Sequence, residues 1–359
     1  MKRIFFLVII CILFTQISWA GRAQIDTISS DPYVSALVVD ADTGKILFED
    51  HAGAAVYPAS VLKLMVLLVV LERIEQKSLG LDEMVQITSE AARMGGSQVY
   101  LDPKEQFSVE DLLYALMIQS ANDAAVALAI HVAGSNESFV AIMNQRAAEL
   151  GMKDTQFYSV HGLPPAEGQK ADKTSAVDLA ILSRELASKP ETFKYTGTVE
   201  REFRDGAFIM RTHNHLLKTI DGCDGFKTGY FKAAGFSIVA TAKRNGVRII
   251  AIVLGSKDRK VRDAKASELL ARGFAQVPPK KGTETIVSKP AAAPAKTSAV
   301  VPPVVEKDQI PSMDVGNPLF SRSGLIMFGL GFGSGIVCCA LLAIFRSSGK
   351  RQTRRRRLI

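Results

Sequence analysis

Apolar and polar positions along this chain follow two periods, and the period changes from one segment to the next. Residues 33–39 and 46–48 alternate like half-buried strands, and Asp42-Thr43-Gly44 between them supplies turn chemistry, which predicts a hairpin. Residues 60–71 are almost continuously apolar over the length of a helix, which predicts a buried one. Ser108 and Asp111 form a capping box ahead of the apolar run 112–116. Helical runs over 123–133 and 137–150 stop at Gly134 and Gly151. Ser175 and Asp178 cap a further helix through Leu186. Residues 236–254 predict two apolar strands joined at Asn245-Gly246, and 264–274 a closing helix. Strands at both ends with helices between them predict an α+β fold. Its antiparallel sheet is built from both chain ends, flanked by helices, with a helical subdomain inserted in the middle.

Two further apolar runs lie outside this body. Lys2 and Arg3 precede an apolar stretch at 4–14 and the small-x-small triplet Ser18-Trp19-Ala20, the pattern of a cleavable signal peptide over residues 1–20. Residues 323–345 carry no charge and are long enough for a bilayer core of about 30 Å. Arg346, Lys350, Arg351 and Arg354 to Arg357 follow at once, which predicts a cytoplasmic tail at 346–359 and a body on the extracytoplasmic side, periplasmic where there are two membranes. The expectation is a protein held in the cell membrane by a single C-terminal span. Eight of the fourteen prolines fall between Gln276 and Arg322, so 276–322 is expected to be an extended linker, leaving 21–275 as the globular domain.

Composition changes this picture little. With 47% hydrophobic and 22% charged residues, the 359-residue chain has globular proportions. Its net charge of +8 invites a nucleic-acid reading. Yet seven basic groups sit in the last fourteen residues and two at Lys2 and Arg3, and removing those nine leaves −1 for the rest. No nucleic-acid partner is expected. Of the four cysteines only Cys223 lies in the body, so no disulfide within the domain is possible. The five histidines show no metal-ligand spacing, and neither a metal nor a cofactor is expected.

Three short motifs carry candidate chemistry. Ser60-Val61-Leu62-Lys63 opens the apolar helix, Ser120-Ala121-Asn122 falls in a break between helices, and Lys227-Thr228-Gly229 comes just before the hairpin strands. Positions i and i+3 share a helix face, so the Lys63 amine can reach the Ser60 hydroxyl. A serine at a helix N-terminus has unpaired N–H groups beside it, which suit a developing oxyanion. An apolar setting favours the neutral, basic form of Lys63.

Together and in this order, the three motifs resemble the signature of penicillin-binding proteins and serine β-lactamases. The flanking residues 57–65, 118–125 and 224–230, with Ala233-Ala234-Gly235 and His161-Gly162-Leu163, are similar to those of the low-molecular-mass D-alanyl-D-alanine carboxypeptidases. The resemblance covers about 33–274 and implies a β-lactamase/DD-peptidase-like fold. It implies a hydrolase that removes the terminal D-alanine from peptidoglycan stem peptides and is acylated by β-lactam antibiotics. It further implies that Ser60 is the nucleophile, Lys63 its general base, and Ser120 a proton relay to the departing D-alanine. Asn122 would bind the substrate backbone and hold the lysines. Lys227 and Thr228 would take the terminal carboxylate, with Arg262 near that pocket. Gly229 would let the peptide lie along the strand edge. The N–H groups of Ser60 and Tyr230 would form the oxyanion hole.

Other features read more plainly. His161 is expected to structure its loop, and Cys223 to fill a small packing position. Gly329, Gly331, Gly333 and Gly335 would fit a helix-dimer face within the span, although glycine is common in spans. Many relatives carry a second, β-rich domain, for which 276–322 shows no strand pattern. A class A β-lactamase would need a Glu-x-x-x-Asn loop, whereas Glu167 to Ala171 lacks the asparagine. A DD-endopeptidase uses the same machinery and differs in the width of its cleft. A non-enzymatic wall-binding protein would not need every catalytic position filled.

Overall fold

The computed structural model describes residue 23 and residues 25–280. The leader at 1–20, the linker beyond Lys280, the span at 323–345 and the basic tail lie outside the described residues. Among the described residues, no single helix is long and apolar enough to cross a membrane.

The chain opens with the predicted hairpin, β1 (Ser35–Asp40) and β2 (Ile46–Asp50). The apolar run that follows begins as a 3₁₀ turn at Ala59–Leu62 and continues as α1 (Lys63–Glu75), buried from Lys63 through Leu71. A ribbon not foreseen in the sequence, β3 (Met84–Gln86) with β4 (Gln106–Ser108), leads to α2 (Val109–Tyr114). There Ser108 accepts from Asp111 N at 3.1 Å, as the capping box predicts. The helix then widens into a π-turn over Ala115–Gln119 and leads to α3 (Asn122–Ala133) and α4 (Asn136–Leu150), which end at Gly134 and Gly151, both at φ +80°. After α5 (Ala176–Ala187), capped by Ser175, a second unforeseen ribbon pairs β5 (Glu200–Phe203) with β6 (Phe208–Arg211).

The last strands form a meander: β7 (Cys223–Phe231), β8 (Gly235–Arg244) and β9 (Val247–Ser256), with the β8–β9 turn at Asn245-Gly246. The closing helix, α6, runs from Arg259 to Gln276. It starts five residues earlier than the apolar pattern predicts, because Asp258 accepts from Lys260 N and Val261 N and so caps it there. The main sheet has the order β2-β1-β9-β8-β7 and is antiparallel throughout, with β1 joined to β9 from Ser35↔Leu254 to Asp40↔Ile249. Lys227-Thr228-Gly229 therefore lies within the sheet's outer strand, not ahead of the hairpin.

Both faces of this sheet are buried, which is why its strands look like apolar runs. Ala36, Val38, Ile249, Ala251 and Val253 pack with Ala266, Leu269 and Leu270 of α6. Leu37, Val39, Ile250, Ile252 and Leu254 face the helical block in the middle of the chain. The two-residue period sorts neighbours to opposite layers. The expected linker does not leave the domain at 276: Val277 packs against the α6 layer, and Lys280 N donates to Asn245 O at 3.2 Å.

Candidate active site

Ser60 sits on the 3₁₀ turn between the helical block and the edge strand β7. Ala59, just before it, holds a left-handed φ of +48°. The turn is clamped from two sides by backbone without side chains. A Cβ at Gly229 of β7 would lie 2.7 Å from Pro58 O and 3.1 Å from Ser60 N. A Cβ at Gly162, which also needs φ +74°, would lie 2.1 Å from Ala59 O. The missing side chain of Gly229 makes room for the turn that carries Ser60.

Lys63, one helical turn on, is fully buried, and its amine has three neighbours. It lies 2.7 Å from Asn122 Oδ1, 2.7 Å from His161 O and 3.1 Å from Ser60 Oγ. The first two oxygens only accept hydrogen bonds. The hydroxyl can also donate, so a neutral amine directs its lone pair at Ser60. Burial, then the nearby Lys227 cation, holds the Lys63 pKa well below the ordinary lysine range, against the pull of Asp123 and Asp172. Geometry and electrostatics thus agree on a base facing a hydroxyl.

Ser120 is buried and takes left-handed backbone (φ +59°) between the π-turn and α3, which brings Ser120 and Asn122 to one place. Asn122 is engaged at both ends, accepting from Lys63 and donating from Nδ2 to Gly95 O at 2.7 Å. Lys227 is 2% exposed, and its amine donates to Thr228 O at 3.0 Å. Burial and the charge of Arg262 lower its pKa to about 7. Arg262, inside α6 and not at a solvated helix start, is buried and donates to Ser237 O and to Asp263 Oδ1. Ser237 is the cross-strand partner of Gly229, so the guanidinium lies behind the motif strand. Tyr230 is exposed and stacks on Phe236 at 4.1 Å.

The relatives of these motifs are now apparent. A model of the family described as D-alanyl-D-alanine carboxypeptidase, Peptidase_S11, matches residues 22–258. The chain belongs to the Peptidase_S11 family. It is 38% identical over 245 residues to D-alanyl-D-alanine carboxypeptidase DacF of Bacillus subtilis (strain 168), covering 67% of this chain and 62% of that protein. It is 36% identical over 270 residues to DacC of Escherichia coli (strain K12), covering 73% of this chain and 66% of that protein. The chain thus spans about two thirds of the length of the curated relatives it matches. Among solved structures it resembles penicillin-binding protein 5 from Haemophilus influenzae, with a TM-score of 0.64 and 32% identity, covering 71% of this chain and 73% of that one. It also resembles ampicillin-bound penicillin-binding protein D2 from Listeria monocytogenes, with a TM-score of 0.61 and 33% identity, covering 68% and 98%.

Within this Peptidase_S11 site, several residues escape sequence reasoning. Asp172 is buried and accepts from Tyr158 N, Ser159 N and Ser159 Oγ, and Ser159 Oγ in turn accepts from Gly162 N. That chain fixes the loop whose His161 carbonyl meets Lys63. His161 reaches the site through its main chain, while its Nδ1 accepts from Leu163 N at 3.0 Å. Gly95 and Ser97 wrap the Ser120 turn, Ser97 O accepting from Asn122 N at 2.8 Å. The Gly95-Gly96 pair is the one legible signal of that turn. His213 lies within electrostatic reach of both lysines. Burial, then the neighbouring cations, lowers its pKa to about 4. Cys223 is half-buried, and burial raises its thiol pKa to about 11, which suits a packing role. Among the described residues no His, Cys, Asp and Glu group could hold a metal ion.

Proposed function

We propose that this protein is a serine-type D-Ala-D-Ala carboxypeptidase that removes the terminal D-alanine from peptidoglycan stem pentapeptides. The observation that carries the reading is the fully buried Lys63 amine 3.1 Å from the Ser60 hydroxyl, its pKa pushed well below the ordinary lysine range by burial. Lys63 takes the hydroxyl proton as Ser60 Oγ attacks the penultimate D-alanine carbonyl. The N–H groups of Ser60 and Tyr230 receive the oxyanion. Ser120 passes a proton to the departing amine, D-alanine leaves, and water then releases the shortened peptide from Ser60. Asn122 holds Lys63 and offers its remaining N–H to the peptide. Lys227 and Thr228 take the terminal carboxylate, and Arg262 adds positive charge behind them.

A β-lactam presents the same carbonyl beside a carboxylate, and the ampicillin-bound relative supports acylation of Ser60 here too. Slow release is expected. Glu167 stands exposed in its loop, while the nearby buried carboxylate of Asp172 is taken up by its own loop. Export and a C-terminal membrane tether belong to the same proposal, and their support is the end patterns of the sequence.

The test is to incubate the protein and its Ser60→Ala variant with a stem pentapeptide and with a crosslinked muropeptide dimer. D-alanine release from the pentapeptide by the wild type alone is the expected result. Cleavage of the dimer in preference to the pentapeptide would make it an endopeptidase, and an active Ser60→Ala variant would remove the nucleophile assignment.

A further inference from the structure

The strand that carries Lys227 continues past the reacting position into an open cleft. A peptide with its carboxylate at Lys227 and its reacting carbonyl between Ser60 and Tyr230 runs antiparallel to β7. Its upstream residues then extend toward Phe231 and Lys232 at about 3.3 Å per residue. That path ends in a cleft of about 590 Å³ lined by Ile25, Asp26, Pro164, Phe231, Lys232 and Ala233. Its outer wall is the segment leading into the fold, tied at both ends: Ala23 N donates to Pro165 O at 3.0 Å and Ile28 N to Ala233 O at 2.9 Å. Phe231, one wall of the cleft, packs against Tyr57, three residues before Ser60, at 5.9 Å between ring centroids. Asp26 and Lys232 are both exposed there, and neither forms an ion pair with another described residue. Burial, then the Asp26 charge, raises the pKa of the Tyr57 hydroxyl.

We propose that this cleft is the subsite for the residue immediately upstream of the D-Ala-D-Ala pair, and that Asp26 and Lys232 select a side chain ending in both an ammonium and a carboxylate. The cleft lies one residue beyond Tyr230 along β7, where that side chain must go, and it offers one charge of each sign. The inference rests on the carboxypeptidase reading and adds a substrate preference to it.

The test uses the full-length protein in detergent at low salt with three pentapeptides that differ only in the third side chain. One ends in ammonium and carboxylate (diaminopimelate), one in ammonium (lysine), and one is neutral (Nε-acetyl-lysine). In the wild type, kcat/KM is expected to fall in that order by about two- to fivefold per charge lost, the scale of an exposed ion pair. Asp26→Asn should bring the lysine to acetyl-lysine ratio near one, and Lys232→Gln the diaminopimelate to lysine ratio. Labelling of Ser60 by a fluorescent penicillin, which has no such side chain, should stay at the wild-type rate in both. Ratios near one in the wild type, or ratios unchanged in the variants, would overturn the subsite while cleavage itself stands. A protein that cleaves none of the peptides and takes no penicillin would remove the carboxypeptidase reading along with it.

Discussion

Lys63 and Lys227 are both withdrawn from water, and burial lowers the pKa of each. Their surroundings then set them apart. Lys63 is ringed by acceptors and one hydroxyl, whereas the Lys227 amine donates to its neighbour's carbonyl, which leaves donors for an anion. If Lys227 binds the substrate carboxylate, the cation is what binds, and in the free protein it is lost as pH rises through about 7. The kcat/KM for a D-Ala-D-Ala peptide should therefore decline on the alkaline side, and decline less for the same peptide with a C-terminal amide. Identical alkaline limbs for the two would detach the limb from Lys227. Lys227→Ala should cost about 1.5–3 kcal/mol, roughly ten- to hundredfold in kcat/KM, as loss of a charge-assisted hydrogen bond. Unchanged kinetics would contradict the role. At this scale the sequence names the residue types, since Ser60, Lys63, Ser120, Asn122 and Lys227 sit in recognisable triplets. Asp172 and Ser159, which fix the His161 carbonyl, carry no such sign, because one carboxylate tying down a loop needs no spacing pattern.

Between elements, the Ser60 turn is held in close contact between β7 and the His161 loop. Gly162→Ala adds a left-handed strain and an overlap with Ala59 O, so the loop or the turn must move. The variant should be acylated by fluorescent penicillin more slowly than its remaining folded fraction accounts for; a rate matching that fraction would show the loop to be a packing element only. The cap of α6 gives a contrasting case. Asp258→Ala removes the acceptor for two N–H groups at an exposed helix start, for a cost of about 1 kcal/mol and roughly 2–4 °C in Tm. Ser60 labelling should be unaffected, and an unmoved Tm would mean the helix start is held by its packing alone. Helices with a full apolar stripe and a terminal glycine are legible to within a residue or so, as α3 and α4 are. The β5–β6 ribbon is short and half exposed. Its Asp205-Gly206 turn is the only local cue, so its pairing depends on the block it packs against.

For the whole molecule, the sheet joins the two ends of the described chain, since β1 pairs with β9 and α6 covers the face they share. Val277 and Lys280 still touch this body, Lys280 pairing with Asp42 at 2.5 Å. A chain from Gly21 to Pro290 keeps all these contacts. It should be soluble and match the full-length protein in detergent on a small pentapeptide; a folded fragment that has lost most of that activity would give the remaining C-terminal residues a part in the site. The sequence by itself determined the α+β order, the main helices and the motif set, because periodicity, caps and turns act over a few neighbouring residues. Only the tertiary structure decided that Gly229 and Gly162 clamp one turn, that Arg262 lies buried behind β7, and that burial drives the Lys63 pKa down. Desolvation and close approach belong to atoms gathered from segments 59 and 98 residues apart along the chain, as Lys63 with Asn122 and with His161 shows, and no local pattern records them.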